Sequence, residues 1–277
     1  MINMGNTVVR QRKMTKFEKR WHITNFEKKK PNLKKPTLII GLPGIGNVGK
    51  IAVDFLIDEL KAKKLYEITS YHFPHTVFIG EDNLAHMLKV EIFYKKSNKQ
   101  DLIIMTGDIQ PTEQEACYEF CDLILDLFQD LGGKEVITLG GIGLQEVRAE
   151  PKIFCTGNNE KIVNKYKRGT KINPNLYGIV GPVMGVAGLM IGLSKQRDIP
   201  ALSLLAETIA HPLYIGIKGS KEILLILQKN FSLRFDINKL EKEIKAYDKE
   251  LIKTVQQLGG QKQDAMPAVE KQSHYIG

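Results

Sequence analysis

Within thirteen residues the chain passes from an apolar run, Thr37-Leu-Ile-Ile-Gly41, through a glycine-rich turn, Gly44-Ile-Gly46-Asn-Val-Gly49, into a helical pattern. The apolar run is too short for a helix and suits a strand buried on both faces. Val48, Ala52, Phe55, Leu56 and Leu60 then recur on one helical face. A strand, a tight turn and a helix in that order argue for a sheet with a helix laid across it.

The same alternation continues. Residues 66–73, 85–94, 101–107, 135–140 and 199–205 read as strands, and 112–131 and 221–230 as helices. Thr112 with Glu115 three residues on forms a capping box at the start of one helix, and Gly132-Gly133 ends it. These lengths predict a three-layer α/β/α sandwich around a mostly parallel or mixed sheet. At 277 residues the chain can bury a substantial core.

Residues 172–194 carry no charge, a length that could span a bilayer. Pro174 and Gly181-Pro182 interrupt the stretch, so the expectation is a buried helix with Pro182 at its first position and no membrane span. Gly181, Gly185, Gly188 and Gly192 form a smooth stripe expected to press on the sheet. Further on, Leu240, Ile244, Tyr247, Leu251, Val255 and Leu258 predict a long amphipathic helix, docked on its own domain or on another subunit.

The turn invites a nucleotide reading. Gly44, Gly46 and Gly49 match G-x-G-x-x-G between a strand and a helix, a pattern that cradles a pyrophosphate. The pattern also needs a carboxylate at the end of the second strand, whereas Glu67 falls at the beginning of the predicted one. Gly44 to Lys50 resembles a P-loop, but Ile51 replaces its magnesium-binding hydroxyl. The favoured expectation is structural: Gly41, Gly44, Gly46 and Gly49 let a strand–turn–helix unit pack tightly. A nucleotide- or nucleoside-binding enzyme using the turn is the alternative.

Other chemistry is sparse. His72 and His75 are split by Phe73-Pro74, His86 falls on another strand, and Cys117 and Cys121 share a helical face with no second ligand pair. Glu113, Glu115, Glu146 and Glu207 could move protons, yet nothing in the sequence pairs them. No catalytic, cofactor or metal residue is assigned. Three cysteines cannot form a disulfide framework and no secretory core follows Met1, which predicts a reduced, cytoplasmic protein.

The net charge of +9 is confined to one end. Residues 1–35 hold eleven of the forty basic residues and two of the thirty-one acids, so the remainder is neutral. A neutral body offers no broad phosphate footprint, and nucleic acid is not the expected partner. Three regions follow: a basic N-terminal arm (1–35), in which 21–26 could form an edge strand; an α/β domain (36–258); and a flexible tail (259–277).

Five segments in order resemble the archaeal branch of the proteasome assembly chaperone family. They are Leu38 through Gly49, Gly107-Asp-Ile-Gln-Pro111, Ile137-Thr-Leu-Gly-Gly-Ile-Gly143, Gly181-Pro-Val-Met-Gly-Val-Ala-Gly-Leu189 and Leu204-Leu-Ala-Glu-Thr208. The resemblance implies a sandwich related to nucleoside phosphorylases and peptidyl hydrolases without their activity. It also implies a homo-oligomer that assists 20S proteasome assembly or holds other client proteins without ATP. Members that dock on proteasome α subunits often end in hydrophobic–Tyr–any residue. This chain ends His274-Tyr275-Ile276-Gly277, so Tyr275, Ile276 and Gly277 are the candidate docking residues. The tyrosine is one place early, which should weaken docking.

Overall fold

The computed structural model describes residues 20–80, 82–146, 150–173, 181–211, 214–242 and 244. In chain order they form β1 (Trp21–Asn25), β2 (Thr37–Ile40), α1 (Val48–Leu60), β3 (Lys63–Ser70), β4 (Val77–Ile79) and β5 (Ala85–Met87). Next come β6 (Val90–Lys95), β7 (Leu102–Gly107), α2 (Gln114–Asp130), β8 (Glu135–Leu144) and β9 (Ile153–Gly157). The remainder are α3 (Glu160–Lys167), β10 (Ile172–Asn173), α4 (Gly185–Gln196), β11 (Ala201–Ile209) and α5 (Ile217–Phe231).

Nine strands make one mixed sheet in the order β1-β3-β6-β7-β2-β8-β11-β9-β10. Its centre, β7-β2-β8-β11, is parallel. The β1, β3 and β6 flank joins β7 by antiparallel pairing, and β9 runs antiparallel to β11. Both faces are covered, as the continuous burial of β2, β7 and β8 requires. Leu38 and Ile40 point into a core shared with α2 and α4, whereas Ile39 points into one shared with α1, α3 and α5. The three-layer sandwich is therefore as the sequence predicts.

Several elements differ from their expected form. Residues 85–94 are two strands, because the chain leaves the sheet before Val90 and β5 pairs with β4 in a separate hairpin. All six residues of β4 and β5 are exposed. The capping box at Thr112 does not form: Glu113 is the N-cap of α2, and no side chain caps it. The third apolar helix begins at Gly185, past Pro182, after a cap at Met184. Its glycines do not press on the sheet: a Cβ at Gly188 would overlap the Val183 carbonyl, and Gly192 faces open space. Val186, Met190 and Leu193 bury the helix instead. No helix among the described residues is long and apolar enough to cross a membrane.

The segment 1–35 contributes directly to the sheet. β1 is its edge strand, and buried Trp21 packs against Phe73 and Phe120 at ring distances of 5.8 and 5.3 Å. Leu240 and Ile244 of the C-terminal stripe are buried beside α1 and α5. The rest of that stripe lies outside the described residues.

Candidate functional site

In open α/β sheets, ligand sites form beyond the carboxyl ends of the parallel strands. Here the carboxyl ends of the four parallel strands β7, β2, β8 and β11 form that edge. Four of the five segments carrying the family resemblance reach it, and the fifth supplies the start of α4.

The turn after β2 opens into α1 through a short 3-10 segment, Ile45–Asn47. Gly44 is extended, whereas Gly46 has φ +63°, a left-handed conformation that glycine adopts without penalty. A Cβ on Gly46 would overlap the Thr208 hydroxyl, and one on Gly49 would overlap the Leu139 carbonyl. Gly41 stands equally close to the Gly49 carbonyl. The start of α1 thus rests on the backbone of β8.

Hydrogen bonds lock the same turn from two sides. The Gly216 amide donates to the Gly46 carbonyl at 2.7 Å, and the Ser220 hydroxyl donates to the Val48 carbonyl at 2.8 Å. On the other side Gln110 Nε2 donates to the Pro43 carbonyl at 2.8 Å. Gln110 Oε1 accepts from the Val186 amide at 3.2 Å. One side chain therefore ties the turn to the start of α4. The cavity left between these pieces, lined by Pro43, Ile45, Gln110, Gly141 and Val186 among others, is about 20 Å³. That is room for about one water, against about 300–1,000 Å³ for a small-molecule site.

The accessories of a nucleotide site are elsewhere. β3 is separated from β2 by β6 and β7, so Glu67 is three strands away from the turn. Glu67 is also mid-strand, not at the beginning as expected, because β3 starts at Lys63. It pairs with Lys64 and Lys89, and the Lys64 hydrogen bond holds its carboxyl below the usual range. Lys50 points along α1 to Asp54 at 2.9 Å and Thr106 at 3.4 Å.

The other sequence candidates stay apart. His72 stacks on Trp21 beside Glu119, while His86 lies on the exposed hairpin near Asp82. Cys117 and Cys121 are buried together, and hydrogen bonding to Cys117 and burial drive the Cys121 thiol far above its ordinary pKa. Cys155 belongs to the opposite core. Glu207 is buried and accepts from the Lys152 amide at 2.9 Å, while Glu113, Glu115 and Glu146 are exposed. No group of three His, Cys, Asp or Glu able to hold a metal exists among the described residues. Tyr275, Ile276 and Gly277 lie outside the described residues. Sequence reasoning did not single out Gln110, Thr208 or Gly216; the first two fall inside resemblance segments, which was the available signal.

Fold and turn together define a mixed-sheet α/β sandwich in which, among the described residues, the turn after β2 packs closely against β8, β11 and Gln110. The chain belongs to the PAC2 family, whose model matches residues 38–255. It is similar to Pyrococcus furiosus PbaB, an archaeal proteasome activator, at 35% identity and a TM-score of 0.78, covering 85% of this chain and 99% of PbaB. Pyrococcus furiosus PbaA, an archaeal homolog of proteasome-assembly chaperone, shares the fold at 21% identity and a TM-score of 0.70, covering 87% and 94%. An uncharacterized protein of Methanocaldococcus jannaschii is 28% identical over 255 residues, 88% of this chain and 93% of that protein.

Proposed function

We propose that the chain is a non-enzymatic, homo-oligomeric factor of the proteasome system that works by holding proteasome α subunits or another client protein. The observation that carries this reading is the 35% identity to PbaB across 99% of that protein. The glycine turn supports it, since Gly41 and Gly49 lie against backbone carbonyls and Gly46 against the Thr208 side chain, each where a side chain would collide. In this reading Gly44 completes the same packing turn, and no nucleotide cradle remains. The exposed apolar side chains of Val77, Phe78, Ile79, Leu84 and Met87 add a surface of the kind that binds proteins.

The C-terminal tail is the proposed tether, with Tyr275, Ile276 and Gly277 as its docking residues. Flexible chain reaches about 5–6 Å × √n, which is about 22–26 Å over a tail spanning 259–277. The full chain should recover 20S α subunits in co-purification, and a chain ending at Leu258 should recover fewer. Equal recovery would remove the tail from the mechanism, and no recovery by either would remove the proteasome. Nucleotides and nucleosides should leave the melting temperature unchanged; saturable stabilisation would restore the enzyme alternative.

A further inference from the structure

We propose that the outward face of α2 is the docking track for the chain's own basic N-terminal segment, residues 10–19. Helix α2 carries Glu115, Glu119, Asp122, Asp126 and Asp130 and no basic residue. Arg197, just past α4, pairs with Asp122 and Asp126, so the face keeps an acidic excess centred on Glu115 and Glu119. Residues 10–20 hold six basic residues, Arg10, Arg12, Lys13, Lys16, Lys19 and Arg20, against one acid, Glu18. The two charge runs are complementary, and the fold brings them to one place.

Arg20, where the described chain begins, already stands on this track. Its Nη1 lies 3.6 Å from Glu119 Oε1, and the next residue donates from Trp21 Nε1 to Glu119 Oε2 at 3.3 Å. Trp21 is locked in the core, so the segment before it must leave from beside Glu119. An open groove of about 450 Å³ runs there, lined by Gln114, Glu115, Tyr118, Glu119 and Asp122. Glu115 is one helical turn from Glu119, about 6 Å, and Asp122 about 4.5 Å the other way. Two or three extended residues, at about 3.3–3.6 Å each, reach either acid. Lys19 and Lys16 are thereby within range of the groove. Tyr118, 44% exposed, offers a ring for a lysine stem to cover. The track would pin the sheet's edge strand from its outer end.

The test uses the full chain, mixed with its heavy-nitrogen-labelled twin and treated with a carbodiimide that joins amines to carboxylates in direct contact. At low salt, couplings of Lys13, Lys16 or Lys19 to Glu115 or Asp122 within one isotopic chain are expected. They should fall severalfold near 1 M salt, where screening acts over about 3 Å. In Glu115→Arg, an exposed change that leaves the fold intact, coupling to Asp122 should also fall severalfold. Couplings that join a light chain to a heavy one, appearing beside the pure products, would overturn the proposal in favour of a second copy. Couplings spread over distant acids such as Glu160 and Glu222, or none at all, would overturn it outright.

Discussion

The hydroxyl of Thr208, at the end of β11, lies against the α-carbon of Gly46, leaving no space for a Cβ on the glycine. The turn after β2 is thus closed by a strand two places away in the sheet, with β8 between them. Gly46 answers two demands at once, a left-handed backbone and a missing side chain.

Gly46→Ala should lower stability through both demands, the left-handed backbone alone costing about 1–2 kcal/mol. Thr208→Ala removes the two atoms nearest the new methyl, Oγ1 and Cγ2. A double-mutant cycle followed by denaturant unfolding should then show coupling of about 1 kcal/mol in the relieving direction. Strict additivity would mean that the two residues do not share this space.

Gly49→Ala brings a methyl onto the Leu139 carbonyl, part of a rigid strand. Overpacking of this kind costs about 1–3 kcal/mol, and a backbone neighbour puts it at the upper end. The melting temperature should drop by roughly 5–10 °C, as scaled for a chain of this size. Gly192→Ala is the control: nothing lies within 4 Å of its Cβ, so the mid-helix glycine should be replaceable with a gain of about 0.5–1 kcal/mol.

Tyr166 is fully buried and donates to Glu135 Oε1 at 2.8 Å. Burial, then the Glu135 charge, raises its phenol well above the ordinary range. The folded state therefore keeps this proton where the unfolded chain releases it. The contribution is fully present below about pH 10 and is lost as pH rises above that, at up to about 1.4 kcal/mol per pH unit. Tyr166→Phe should flatten the alkaline arm of the stability profile by about one proton, which urea titrations between pH 9 and about 11 would read. An unchanged slope would place the titration elsewhere.

Trp21 is the only tryptophan, is 4% exposed, and pins β1 to α2. Trp21→Ala should cost about 3–5 kcal/mol, and Trp21→Phe distinctly less. In the native chain its fluorescence should move in the same unfolding transition as far-ultraviolet circular dichroism. An earlier fluorescence transition would show the edge strand detaching alone.

The α/β class, the central strands and helices α1, α2 and α5 could be read from local pattern, because a strand covered on both faces is continuously apolar and its helices repeat at 3.6 residues. The sequence failed where pattern and partner diverge. Residues 85–94 alternate without interruption, yet β5 and β6 separate because pairing, invisible to alternation, changes between them. Thr112 and Glu115 have the spacing of a capping box, but the helix starts two residues past Thr112, so that hydroxyl is not at the cap. The glycine stripe of α4 gave room for an approach without naming the neighbour. At the turn itself, the spacing of Gly44, Gly46 and Gly49 is common to a phosphate cradle and a packing joint.

By itself the sequence determined that a buried strand enters a glycine turn and then a helix, because residue size and periodicity act locally. Only the tertiary structure decided what fills the turn. Thr208, Gln110 and Gly216 are distant along the chain, and their meeting at Gly46 and Pro43 depends on strand order, which no local periodicity encodes.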